Sequence, residues 1–104
     1  VLCAGGMIIY PKEYLEKAAL LCKKFNVHLI IDEVATGFGR TGKMFALEHA
    51  QDVTPDFICL SKGITAGYLA FGATLTTAKI ARAFSADYAK KKTFSTATPI
   101  RQIL

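Results

Sequence analysis

After Pro11, apolar residues recur at helical spacing, Tyr14, Leu15, Ala18, Ala19, Leu21 and Cys22, with charged residues between them. The pattern predicts an amphipathic helix over about 12 to 25, with proline at its start and Asn26 at its end. Val27, His28, Leu29, Ile30 and Ile31 then form an apolar, β-branched run of the length expected for a strand buried on both faces. Asp32 and Glu33 close it. The glycine-rich segment from Thr36 to Gly42 leads into a short helical stretch from about Lys43 to His49. Pro55 precedes a second apolar strand, Asp56 to Leu60.

Helix, strand, helix, strand implies two parallel strands joined by a right-handed crossover, so both end at the same edge of the sheet. Asp32 and Lys62 are thereby expected on one rim. The link from Lys62 to Phe71 is too short for another crossover, so a third strand over Phe71 to Thr76 should run antiparallel. Thr77 can cap a last helix over Ala78 to Tyr88. The fold class is therefore α/β, a mostly parallel sheet with flanking helices and one antiparallel strand. No internal repeat or low-complexity segment interrupts it.

Composition agrees with a folded domain: 52% of the 104 residues are hydrophobic and 20% charged. The length is short for an α/β cofactor enzyme, so the sequence reads as part of a longer protein. The formal charge of +5 raises nucleic acid as a partner. However, the one dense basic run, Lys90, Lys91 and Lys92, has no interleaved aromatic platform, so a solvated helix end is the better reading. Cys3, Cys22 and Cys59 lack paired metal-type spacing and are odd in number, which argues against disulfides and zinc and for small buried hydrophobes. No charged leader precedes a long apolar run, and Asp32 and Glu33 interrupt the most apolar stretch, so a cytoplasmic protein without a membrane span is expected.

Two phosphate motifs must be weighed. Gly37-Phe38-Gly39-Arg40-Thr41-Gly42 satisfies the dinucleotide fingerprint, and its continuation Gly42-Lys43-Met44 approaches a P-loop. Two carboxylates stand where a pyrophosphate would sit, and Met44 replaces the hydroxyl residue that holds magnesium. Both nucleotide readings are rejected. The glycines are expected instead to permit a tight loop at positive φ.

A carboxylate and a lysine at the ends of adjacent parallel strands suit pyridoxal phosphate chemistry. A lysine holds that cofactor's aldehyde as a Schiff base, and a carboxylate keeps its ring nitrogen protonated, so that the ring can absorb electrons from a substrate carbanion. Displaced from the cofactor, the same lysine can act as the base that moves a proton. The residues alone leave another reading open, in which Lys62 is a solvated loop residue and Asp32-Glu33 a turn or cap.

The run Ile31-Asp32-Glu33-Val34-Ala35-Thr36-Gly37-Phe38-Gly39-Arg40-Thr41-Gly42-Lys43-Met44-Phe45-Ala46 resembles the signature of class III aminotransferases. Pro55-Asp56 and Cys59-Leu60-Ser61-Lys62-Gly63-Ile64-Thr65 follow at the family's distance. Ala35, where many members carry glutamine, is similar to the diaminononanoate branch of that class. So are Gly5-Gly6-Met7, Glu48-His49-Ala50 and Ala73-Thr74-Leu75-Thr76-Thr77. The resemblance covers about residues 3 to 94 and implies a fragment of the large, cofactor-binding domain of a fold-type I transferase. It also implies pyridoxal 5'-phosphate as cofactor, Lys62 as the catalytic Schiff-base lysine, Asp32 as the ring-nitrogen partner, Val34 packed on the ring face, and Arg40 helping to hold the loop.

The activity implied is transamination of 8-amino-7-oxononanoate to 7,8-diaminononanoate in biotin synthesis. It would run in a homodimer, with a small-molecule amino donor, S-adenosylmethionine or lysine, and no nucleic acid, membrane or metal. The alternatives are another class III omega-aminotransferase, a non-catalytic truncated product, or a nucleotide-binding module. The family's phosphate loop, substrate-facing aromatics and second domain fall outside the matched residues.

After Phe94 the family's wording stops. Residues 95–104 can be back-translated so that a neighbouring reading frame spells His-Gly-His-Thr-Tyr-Thr-Ala-Asn-Pro, the family's own continuation. The expected division is thus a large-domain fragment over 1–94 and a frameshifted tail over 95–104.

Overall fold

The computed structural model describes residues 4–84. The expected continuation of the last helix to Tyr88, the basic run, Cys3 and the tail lie outside the described residues.

Helix α1 (Lys12–Lys24) begins just after Pro11, carries Glu13 in its first turn, and has Lys23 and Lys24 in its last, matching the helix dipole at both ends. It stops in a Schellman arrangement. Asn26 takes φ +52°, its N–H reaches the Lys23 carbonyl at 3.3 Å, and the Val27 N–H reaches that of Cys22 at 2.9 Å. Of the expected apolar face, Leu15, Ala18, Ala19 and Cys22 are half-buried, whereas Tyr14 and Leu21 are exposed. Glu16 ties the helix to the approach of the second strand, accepting the Gln51 N–H at 2.9 Å.

Three strands follow: β1 (Ile30–Asp32), β2 (Phe57–Leu60) and β3 (Ala73–Thr76). They form one sheet in the order β1-β2-β3, with β1 parallel and β3 antiparallel to β2. Helix α2 (Ala78–Phe84) comes next, with the Thr77 hydroxyl accepting the Ile80 N–H at 3.4 Å.

Strand β1 starts later than the apolar run. Asp56 takes over the backbone of Leu29, its carboxylate accepting the Leu29 N–H and its own N–H donating to the Leu29 carbonyl, each at 2.9 Å. Ladder pairing therefore begins at Ile30. The expectation of a strand buried on both faces is corrected, because Ile30 is 60% exposed and, among the described residues, β1 stands at the sheet edge beside β2. Among the described residues, Leu60 on the central strand is the only fully buried hydrophobic side chain. The cysteines are also less enclosed than expected: Cys22 and Cys59 are free and half-buried.

The helical stretch expected from Lys43 contracts to a single 3₁₀ turn, Ala46–His49. Its extended entry at Phe45 and the Gly39 N–H bond to the Met44 carbonyl, 3.2 Å, hold Lys43 to Phe45 in a loop instead.

Candidate functional site

The parallel register pairs Ile30 with Phe57, Ile31 with Ile58 and Asp32 with Cys59. Asp32 is therefore the last residue of β1, and Lys62 lies just past the end of β2, opening a 3₁₀ turn over Lys62–Ile64. Both occupy the C-terminal edge of the parallel pair, the rim that topology demands. Both side chains are exposed. Asp32 Oδ1 accepts the Val34 N–H at 2.9 Å, which fixes the carboxylate against the first residues of the loop, and Val34 itself is half-buried. Asp32 also borders a groove of about 590 Å³ whose walls include Ile9, Tyr10, Leu15 and Ile31. Lys62 is not part of that lining.

The residue that organises the site is one that chain order left in the shadow of Asp32. Successive residues at a strand end point to opposite faces. Asp32 faces out, and Glu33 is 1% exposed, the most enclosed large side chain described. A buried carboxylate requires donors, and Glu33 has them. Oε1 accepts the Leu47 N–H at 2.8 Å and Oε2 accepts the Thr36 hydroxyl. Its main chain is equally engaged, the N–H on the Cys59 carbonyl and the carbonyl on the Gly37 N–H, both at 2.9 Å. One residue thus joins β1, β2 and both ends of the glycine-rich loop.

That loop closes over the lysine turn. Gly37 is required because a Cβ there would stand 2.9 Å from the Glu33 carbonyl oxygen. Gly63 is required because a Cβ there would meet three atoms of Phe38 at 2.7 to 3.0 Å. The Phe38 ring also meets Phe45 edge-on, with centroids 5.7 Å apart. Gly39 and Gly42 take φ +89° and +90°, as expected of glycines in a tight loop. The chain runs through turns and bends until Ala46, so no helix N-terminus stands behind Gly37 to Gly42 to receive a pyrophosphate. Arg40 is exposed at the loop's outer edge.

The residues present fit pyridoxal phosphate in donor chemistry. An acidic group and a primary amine stand on neighbouring strand ends, and an aromatic side chain packs against bare backbone at the residue after the amine.

Comparison with known proteins decides the family. The model of the class-III aminotransferases matches residues 1–102. The chain belongs to that family. A protein of Anoxybacillus flavithermus named adenosylmethionine-8-amino-7-oxononanoate aminotransferase is 57% identical over 91 residues, 88% of this chain and 20% of that protein. Proteins of the same name from Helicobacter pylori and Methanocaldococcus jannaschii are 55% and 46% identical over 88% of the chain. Each spans 21% of its protein's length, so this aminotransferase segment covers about a fifth of the curated relatives it matches.

Among solved structures, the taurine:2-oxoglutarate aminotransferase of Bifidobacterium kashiwanohense, in complex with PLP and glutamate, superposes with TM-score 0.70. It is 43% identical, covering 76% of this chain and 18% of that one. An (S)-enantioselective omega-transaminase of Thermomicrobium roseum superposes with TM-score 0.77 at 35% identity, over 91% of this chain and 20% of its own. The small mixed sheet is thus a piece of the aminotransferase α/β fold.

Proposed function

We propose that this aminotransferase segment belongs to an enzyme that transfers an amino group to 8-amino-7-oxononanoate, giving 7,8-diaminononanoate for biotin synthesis. The observation that carries the reading is the 46–57% identity to proteins bearing that substrate in their names, from bacteria and from an archaeon. The structural relatives named above, one of them a taurine:2-oxoglutarate aminotransferase, stand at 35–43%. The relatives' shared name favours S-adenosylmethionine over lysine as the amino donor.

The cofactor in this reading is pyridoxal phosphate, which Lys62 would hold at its aldehyde carbon, with Asp32 as partner of its ring nitrogen and Val34 against its ring. When bound, it supplies an electron sink for the carbon that carries the amine. Asp32 would be the acidic partner of the ring nitrogen and would favour that nitrogen's protonated form. Its Oδ1 is already oriented by the Val34 N–H. Lys62 Nζ would anchor the cofactor, and its amine is the base that would take the proton from the substrate Cα. The whole enzyme acts as a cytoplasmic homodimer. Among the described residues, no helix is long and apolar enough to cross a membrane.

The chain divides at about Phe94 on the same reading: 1–94 is large-domain sequence and 95–104 a frameshifted tail. What supports the division is the reading-frame correspondence of residues 95–104 with the family's continuation. Sequencing the coding DNA tests it, and a neighbouring frame that does not spell the family's continuation would end the idea.

Substrate choice is tested in a chimera in which these 91 residues replace the matching segment of the Anoxybacillus flavithermus protein. The reading expects turnover of 8-amino-7-oxononanoate with S-adenosylmethionine. Turnover of simple omega-amino acids alone would move the assignment to another branch of the family.

A further inference from the structure

Lys62 stands at φ +26°, a left-handed angle that residues with side chains seldom adopt. A backbone of this kind persists only where its surroundings over-determine it. The surrounding here is Phe38, itself at φ +61°, whose Cδ2, Cβ and Cγ would lie 2.7, 2.8 and 3.0 Å from any Cβ on Gly63. Phe38 is held in turn by a loop that Glu33 fastens at both ends, through Thr36 and Gly37 on one side and Leu47 on the other. Beyond Gly63 the turn is closed by the Ile64 N–H on the Ser61 carbonyl at 2.9 Å and the Gly67 N–H on the Lys62 carbonyl at 3.2 Å.

We propose that Glu33 and Phe38 are positioning residues for Lys62: the loop fastened by Glu33 presses Phe38 onto Gly63 and so keeps the lysine backbone at its left-handed angle. This deepens the function proposed above and rests on the assignment of Lys62. Neither residue touches a reacting atom. Their effect is on where the Lys62 amine stands, and small displacements of a reacting group are costly in rate.

The test uses the chimera with Phe38→Ala, Phe38→Leu, Gly63→Ala and Glu33→Gln, each with Lys62 intact and in a Lys62→Ala background supplied with ethylamine as a replacement base. Phe38→Ala is expected to lower kcat about tenfold or more with little change in KM. Phe38→Leu should recover most of the loss. Gly63→Ala should reproduce it without adding to Phe38→Ala, since both break the same contact. In the ethylamine-rescued background, Phe38→Ala should have no further effect, because the group it positions is gone.

A second readout needs no cofactor. Amide hydrogen exchange at Ile64 and Gly67 of the cofactor-free protein should quicken in Phe38→Ala and Glu33→Gln, while the β2–β3 ladder stays protected. Equal losses in both backgrounds, or unchanged exchange at Ile64 and Gly67, would overturn the positioning role and leave the Lys62 assignment standing. Full activity of Lys62→Ala without added amine would instead overturn that assignment, and the inference with it.

Discussion

The Glu33 carboxylate holds the backbone N–H of Leu47, fourteen residues downstream, at 2.8 Å, and so bridges the whole glycine-rich loop from inside the protein. Removing it leaves the Leu47 N–H and the Thr36 hydroxyl without their acceptor. Glu33→Ala should therefore destabilise the chimera by roughly 1–3 kcal/mol, the cost of stranding buried polar groups. Glu33→Gln, which keeps an oxygen for Leu47, should cost less. Thermal and denaturant unfolding measure both, and a Glu33→Ala protein as stable as its parent would contradict the clasp.

Asp56 makes stability depend on acid. Its carboxyl is held below the ordinary aspartate range chiefly by the Leu29 N–H, then by His28 and Lys79, with burial opposing them. His28 Nδ1 lies 3.3 Å from Asp56 Oδ1. A group whose pKa is depressed by folding stabilises the fold fully above its unfolded value and loses that contribution as the pH falls through its folded value. Stability should thus begin to decline as the pH enters the ordinary aspartate range and continue to decline below it. Asp56→Asn should flatten this part of the acid unfolding curve. The carboxylate is part-exposed, so solvent screening keeps the effect small. An unchanged acid limb in Asp56→Asn would remove Asp56 from the account.

Much apolar surface is left open on the chain itself. Ile9, Tyr68, Leu20 and Leu69 are each more than 60% exposed, and among the described strands β1 stands at the sheet edge. Exposed apolar patches and open strand edges promote association. The 104-residue chain alone should bind a hydrophobic dye and sediment as more than a monomer, and the chimera should do neither beyond its dimer. A monomeric chain that leaves the dye dark would show that these surfaces are covered.

Asp32→Asn should leave folding intact, because an amide oxygen can still accept the Val34 N–H, but remove the negative charge beside the ring nitrogen. Loss of such a charge should lower kcat of the chimera by about a hundredfold, equivalent to roughly 2.7 kcal/mol in the barrier. Spectra and steady-state kinetics with 8-amino-7-oxononanoate check it, and an Asp32→Asn enzyme with unchanged kcat would dismiss the carboxylate from the chemistry.

The architecture was legible where local pattern and chain length both spoke. The β-branched run before Asp32 and the second run before Lys62 implied parallel strands with a shared rim, and the short link after Lys62 implied the antiparallel β3. The start of β1 was hidden because it depends on Asp56, far along the chain, occupying the Leu29 backbone. Glu33 was read only together with Asp32, as a strand-end pair that would repel a pyrophosphate or form a turn or cap. Strand alternation carried the missing signal, since an outward Asp32 obliges the next residue to point inward. The contact of Phe38 with Gly63 had no local signature, for the glycine's need appears only once the loop folds over it.

The most direct test of the account is chemical. The chimera, loaded with pyridoxal phosphate, is reduced with borohydride, digested and mapped by mass spectrometry. The account predicts a single pyridoxyl group on the Lys62 peptide, absent from Lys62→Ala. A label on another lysine, or none with the cofactor demonstrably bound, would contradict it.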